Sequence, residues 1–275
     1  MTSSPAARTT PSTLTRDRWI VTIAAAVWVL GTLFGTGLIG GGVSSQGDGL
    51  FTDSATLIAP DGPAFSIWSV IYAGLTAYVV WQWLPAAAGS GWAAVSRMPA
   101  AASIALNGIW LLVVQADLVW LSVVVILAIA ASIGLVVRRV GDQPSESLTA
   151  HLVVGLTFGL YLGWVCVATC ANIASFLVGL GVDVRATSSV WITVAVLAVV
   201  VLLVVFLARV ARHPWSRAGI ALAAVWGAAW VSVARLGGEL RSETVGYAAI
   251  VAAVLITAAA AVLLARSAHD HRPVS

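Results

Sequence analysis

Along the chain, long apolar runs with uncharged centres alternate with short segments that carry nearly all the charge. The first run follows Arg18 and stays uncharged to Gln46, and another extends from Leu152 to Val182. A spanning helix needs about 20 mainly apolar residues, and on that length the pattern predicts eight helices, at about 19–41, 64–84, 99–116, 118–138, 151–178, 187–208, 217–236 and 245–265. Only Gln115–Leu118 separates the third from the fourth. The fifth run is long enough to tilt or to extend past the lipid. Backbone groups in lipid must be bonded within their own segment, which favours helices over isolated strands. The runs are also too long and too little alternating for barrel strands. The expected class is an all-α integral membrane protein.

Composition agrees. Of 275 residues 60% are apolar and 9% charged, against roughly 25% charged in a soluble domain. That excludes a water-soluble globule, and so much hydrophobicity excludes a disordered chain. All fourteen basic residues are Arg. They sit in short caps between apolar runs, so they read as topology signals rather than as a nucleic-acid patch, and no nucleic-acid partner is expected. With the N-terminus inside, only Arg185, Arg235 and Arg241 fall outside, while Asp48, Asp53, Asp61, Asp117, Asp183, Glu239 and Glu243 all do. This positive-inside bias, with an even number of spans, places both termini in the cytoplasm. Residues 1–18 and 266–275 read as polar cytoplasmic tails.

No Asp, Glu, Arg or His stands at the centre of a predicted span. Ionisable groups in a membrane mark proton relays and ion paths, so their absence argues against a pump or an ion-coupled transporter. An axial His for a haem buried mid-membrane is also missing. No Ser/His/Asp set, metal-ligand cluster or phosphate loop is evident, which argues against a hydrolase or a metalloenzyme. Cys166 and Cys170 share one helical face and read as small core hydrophobes. The longest connection, 42–63, holds three Asp and a Pro60-Asp61-Gly62-Pro63 turn cluster. It is either a functional loop or a linker.

What remains is aromatic and amide side chains at helical spacing. Phe65, Trp68 and Tyr72 form one stripe of the second helix. Asn107 and Trp110 stand three apart on the third, and Tyr161, Trp164, Ala168 and Asn172 share a face of the fifth. Trp and Tyr gather at membrane interfaces, an explanation open to Phe65 and Trp68 but not to Trp164 and Asn172, which lie well inside a run. A buried amide in lipid wants a partner. The set therefore suggests either an aromatic-walled pocket with a few polar contacts or amides that join helices.

These residues carry a resemblance. The segment 63–75, PAFSIWSVIYAGL, resembles the signature that opens the second helix of the TspO/MBR family, the tryptophan-rich sensory or translocator proteins. Asn107-Gly-Ile-Trp110 is similar to that family's third-helix pattern, and Tyr161, Trp164, Ala168 and Asn172 to its fifth-helix pattern. The similarity covers roughly residues 19–180. Leu160 stands where the family has Pro, the first-helix signature is not evident, and helices six to eight have no counterpart in the compact family core. No Arg follows any Tyr within five residues, so the weak sterol motif is absent.

The resemblance implies a five-helix TspO-like bundle over 19–182, plus about three additional transmembrane helices over 183–265, in a bacterial plasma membrane. It implies a receptor or sensor for a flat hydrophobic ligand of the porphyrin class, with Phe65, Trp68, Tyr72, Asn107, Trp110, Tyr161, Trp164, Ala168 and Asn172 as ligand-binding residues. Trp68, Tyr72, Trp110 and Trp164 would offer ring faces, Asn107 and Asn172 hydrogen bonds, and loop 42–63 a lid. Propionates would face the outer interface within reach of Arg185. No cofactor is required, and a porphyrin would be bound as ligand. The alternatives are a transporter or permease for tetrapyrroles or other small hydrophobic molecules and, by resemblance, porphyrin breakdown. The resemblance also implies a homodimer, for which a small-residue face such as Gly219–Ala229 would allow close helix contact.

Overall fold

The computed structural model describes residues 11–35 and 49–270. Among the described residues there is no strand, and eight helices are long and apolar enough to cross a membrane. They are α1 (Pro11–Gly35), α2 (Gly62–Trp81), α3 (Gly91–Gln115), α4 (Val119–Gly141), α5 (Leu148–Gly179), α6 (Thr187–Val210), α7 (Pro214–Gly237) and α8 (Glu243–Asp270). Every predicted span is present; the differences lie at the ends. Helix α1 already includes Pro11, the first described residue, so residues 11–18 are helix rather than tail. Its expected end at 41 and the first part of loop 42–63 lie outside the described residues. The last helix likewise runs on through 266–270, part of the expected tail.

Helix α3 begins eight residues before the expected 99 and carries Pro99 in its interior. A proline there removes a ladder hydrogen bond, which spanning helices tolerate when neighbours re-satisfy the backbone. The start is fixed from outside. Ser90 Oγ accepts from Ala93 N at 3.0 Å, and Glu146 accepts from Trp92 N at 2.9 Å and from Ser90 Oγ at 2.6 Å. An anionic carboxylate at a helix N-terminus matches the exposed amides and the dipole. Arg97, expected in a connecting segment, is therefore buried within α3, where it donates to Ala87 O at 3.0 Å.

Helices α1 to α5 close into a ring. Helix α1 packs on α3, α3 on α4, α4 on α5, α5 on α2, and α2 on α1. Helix α7 lies along α5, α8 along α7, and α6 against α8 and α7. One end of the molecule, here the base, brings together Arg18 with Leu84, Trp92 with Pro144, and Arg217 with Leu263. The other end, the top, joins Phe34 to Gln115, Leu50 to Ser175 and Asp53 to Arg235.

Close approach rests on glycine at two seams. A Cβ on Gly108 would lie 2.5 Å from Val27 O across α1 and α3, and one on Gly159 2.6 Å from Ser216 O across α5 and α7. Gly219 and Gly227 of α7 meet Leu156 to Leu160 and Val167 of α5 in the same way. The glycines of the Gly219–Ala229 face, Gly219 and Gly227, are thus occupied within the chain by α5. Helix α5 opens with a π-helical stretch, His151–Leu156. Its irregularity lies there, a turn ahead of Leu160, where the resembled family has proline. The extra residue per turn of a π stretch is a common feature near functional segments.

Candidate functional site

The upper part of the ring is held by two amide nodes. Asn107 of α3 accepts from Tyr72 Oη of α2 at 3.0 Å and donates through Nδ2 to Tyr161 Oη of α5 at 3.0 Å. Tyr161 Oη in turn donates to Ser103 O at 3.3 Å. One turn higher, Asn172 of α5 accepts from Trp110 Nε1 of α3 at 2.9 Å and donates to Ser122 Oγ of α4 at 2.8 Å. Each node ties three helices together, and both amides are buried. A hydrogen bond between spanning helices contributes about 0.6 kcal/mol on average and up to about 1.7. The nodes therefore set register more than they supply stability.

Between and above the nodes lies an apolar cavity of about 70 Å³. Phe65 and Trp68 close it from α2, Asn107 and Trp110 from α3, Ile126 and Ile129 from α4. Trp164, Ala168 and Asn172 form the α5 wall, and Phe51, Ala59 and Pro60 of the connecting loop form the roof. A second chamber of about 330 Å³ lies on the far side of Trp68, between Thr32 and Gly35 of α1, Ser69 and Tyr72 of α2, and Leu111 of α3. Phe65, Trp68 and Trp110 line both. They are the partition.

Three of the ring pairs meet edge to face and the fourth, Trp68 with Tyr72, at a tilt of 41°. Trp68 stands 6.2 Å from Trp164, 5.9 Å from Tyr161 and 5.2 Å from Tyr72 between centroids, and Phe65 stands 5.7 Å from Trp164. Such arrangements suit the ring quadrupoles and add about 0.5–1.5 kcal/mol per pair beyond area burial. Within this cluster Trp164 is 1% exposed, yet its Nε1 has no hydrogen-bond partner among the described residues. A buried donor left unpaired costs about 1–3 kcal/mol. The indole N–H is thus a donor held in reserve beside an apolar cavity.

The structure brings seven of the sequence-picked residues to the first cavity: Phe65, Trp68, Asn107, Trp110, Trp164, Ala168 and Asn172. Tyr72 lines only the second chamber, and Tyr161 stands behind Asn107 as its partner. The two asparagines spend their hydrogen bonds on other helices, as the helix-joining alternative required, while also forming pocket wall. Arg185 does not approach the aromatic cavity. It lines a separate recess with Leu57, Glu239 and Arg241, so the expected cation for propionates is not at the site. The sequence reading passed over Phe51, Ile126, Ile129 and Ser122. Ile126 and Ile129 lie inside an apolar run and give no periodic signal, Phe51 stands alone in a connecting loop, and Ser122 is a hydroxyl in an otherwise apolar stretch.

The ring order, the extra helices on α5 and the aromatic cavity define a helical membrane protein with eight candidate spans among its described residues and an aromatic-walled cavity near one face. A family model described as TSPO-like protein matches residues 18–262, and the chain belongs to that family. The match runs through α6, α7 and most of α8 as well as the five-helix ring. No curated protein and no solved structure matches the chain.

Proposed function

We propose that this protein is a membrane receptor for a flat hydrophobic small molecule of the porphyrin class, bound where Trp68 divides the two chambers. The observation that carries this reading is the Trp164 N–H, unpaired among the described residues, in a wall built mainly of aromatic rings and aliphatic side chains. Small-molecule sites are apolar with few placed polar groups, and run to about 300–1,000 Å³. The second chamber reaches that range and the first does not. A ligand of porphyrin size therefore requires the Trp68 and Trp110 side chains to turn aside and merge the two. Ring stacking then replaces the ring–ring contacts that are lost.

Among the described residues no charged side chain lines either chamber. Ionised propionates therefore point out of the cavity toward water. The Arg-rich base faces the cytoplasm by the positive-inside rule, and the plasma membrane of a bacterium is the proposed setting. Carriage is the competing use of such a site. Toward the base, however, the ring is filled by Tyr78, Phe158, Trp92 and Arg97, all buried, with Tyr78 Oη on Ser96 Oγ at 3.0 Å. That packing favours binding over passage.

Titration of protoporphyrin IX against tryptophan fluorescence tests the reading. Micromolar or tighter binding, about −8 kcal/mol or better, is expected, weakened about tenfold in Trp164→Ala and in Asn107→Ala. Affinity unchanged in both variants removes the pocket. Ligand flux into proteoliposomes would instead establish carriage.

A further inference from the structure

The roof of the cavity has two faces. Phe51, Thr52, Ala59 and Pro60 look into the pocket, whereas the residues between and beside them are held from the opposite side by the C-terminal helices. Arg235 Nη2 of α7 donates to Asp53 O at 2.6 Å. Trp230 O of α7 accepts from Asp61 N at 3.2 Å, and Trp226 Nε1 of α7 donates to Ala64 O at 2.8 Å. Ile58, 4% exposed, is buried in a small core with Leu197 of α6, Val231 of α7, and Val245 and Ala249 of α8. Three polar contacts and one apolar plug thus fasten residues 53–64 to the three-helix layer. The start of the loop is tied to the ring itself by Ser175 Oγ, which donates to Leu50 O at 2.6 Å, and by Phe51, whose ring stands 6.1 Å from that of Trp110.

Arg235 is the costliest of these devices. Its side chain is 1% exposed, and its Nε and Nη1 have no hydrogen-bond partner among the described residues. Arg235 borders a polar recess of about 170 Å³ that Asp53, Ser54, Asp61 and Glu239 also line. A buried charge is kept only where it is compensated. Here the compensation is one short charge-assisted bond to the loop carbonyl and the acidic recess around it. Because α7 is locked to α5 through the glycine seam, and α5 carries Trp164, the grip fixes the roof relative to the pocket wall.

We infer that α7 is the latch of the pocket: Arg235, seconded by Trp226, is a positioning residue that holds residues 51–64 over the aromatic cavity, and loosening this hold opens the cavity from the top. The three helices beyond the ring thereby acquire a task, control of access. The effect on ligand exchange rests on the receptor reading above; the effect on roof opening does not.

The test uses the full chain in detergent, with Cys170→Ala to silence one thiol and Ala59→Cys to report on the roof. Cys166, buried in α5, serves as internal control. N-ethylmaleimide labelling of each thiol is followed by mass spectrometry, and protoporphyrin IX dissociation is timed in parallel. Loss of a hydrogen bond to a charged group raises local opening by about tenfold or more. In Arg235→Gln, and more mildly in Trp226→Phe, which keeps a ring but not the N–H, the reporter is expected to label that much faster. Cys166 stays slow and porphyrin leaves faster. Unchanged reporter labelling in both variants overturns the latch, and so does equal acceleration of both thiols, since α7 would then be holding the bundle and not its roof. If the reporter accelerates alone while porphyrin binds to none of the proteins, the latch stands and the ligand assignment falls.

Discussion

Asn107 and Asn172 show how one residue type serves two ends. Each amide offers a donor and an acceptor, and each is consumed by partners on two other helices while its remaining surface faces the cavity. Trp164 and Trp110 form an informative contrast. Trp110 Nε1 is bonded to Asn172, whereas Trp164 Nε1 is unpaired. Trp110→Phe is therefore expected to lower thermal stability by about 1–3 kcal/mol, because it orphans the Asn172 oxygen. Trp164→Phe removes an N–H that has no partner among the described residues and should cost less, yet weaken porphyrin binding. Paired melting curves and titrations decide it; a larger melting shift for Trp164→Phe would contradict the assignment. At the turn between α3 and α4, Asp117 holds a positive φ of 55°. Asp tolerates that region better than β-branched residues, so Asp117→Val should destabilise by about 1–2 kcal/mol more than Asp117→Gly.

The helices were legible because lipid imposes a length. About 20 apolar residues are needed to cross it, and the chain repeats that length eight times. Their ends were less so. Pro11–Arg18 and Gly91–Met98 hold polar residues and a nearby proline, and they are helical because Glu146 and the capping Ser90 complete α3 and because lipid no longer dictates composition at that depth. The ring residues of the site were visible through steps of three and four on α2, α3 and α5. The roof grip was not, since Arg235 and Asp53 stand 182 residues apart and no local pattern joins them. The α5–α7 seam makes an element-scale prediction. Gly163→Val places a branched side chain against the backbone of Ile220 and should abolish the folded monomer in detergent, whereas Gly134→Ala, with nothing within 4 Å, should be neutral or stabilising. Size-exclusion profiles of the two variants separate the outcomes; a folded Gly163→Val protein would refute the close packing.

At the scale of the whole molecule, the arrangement is a five-helix ring with an aromatic cavity near its top and a three-helix layer that reaches over to hold the roof. The side on which that roof lies follows from charge, with Arg crowded at the base and Asp at the top. In a chain without native cysteines, Ser188→Cys in the α6 entry should react with a membrane-impermeant thiol reagent on intact cells, and Ser145→Cys should react only after lysis. Both positions are exposed. The reverse pattern would invert the proposed topology and place the cavity mouth on the cytoplasmic side.

The most direct test is a structure of the protein soaked with protoporphyrin IX. Planar density is expected between Trp164 and displaced Trp68 and Trp110 side chains, with the two chambers merged and a porphyrin edge near the Trp164 N–H. Density confined to the lipid-facing surface of the helices, with both chambers unchanged, would contradict the receptor assignment.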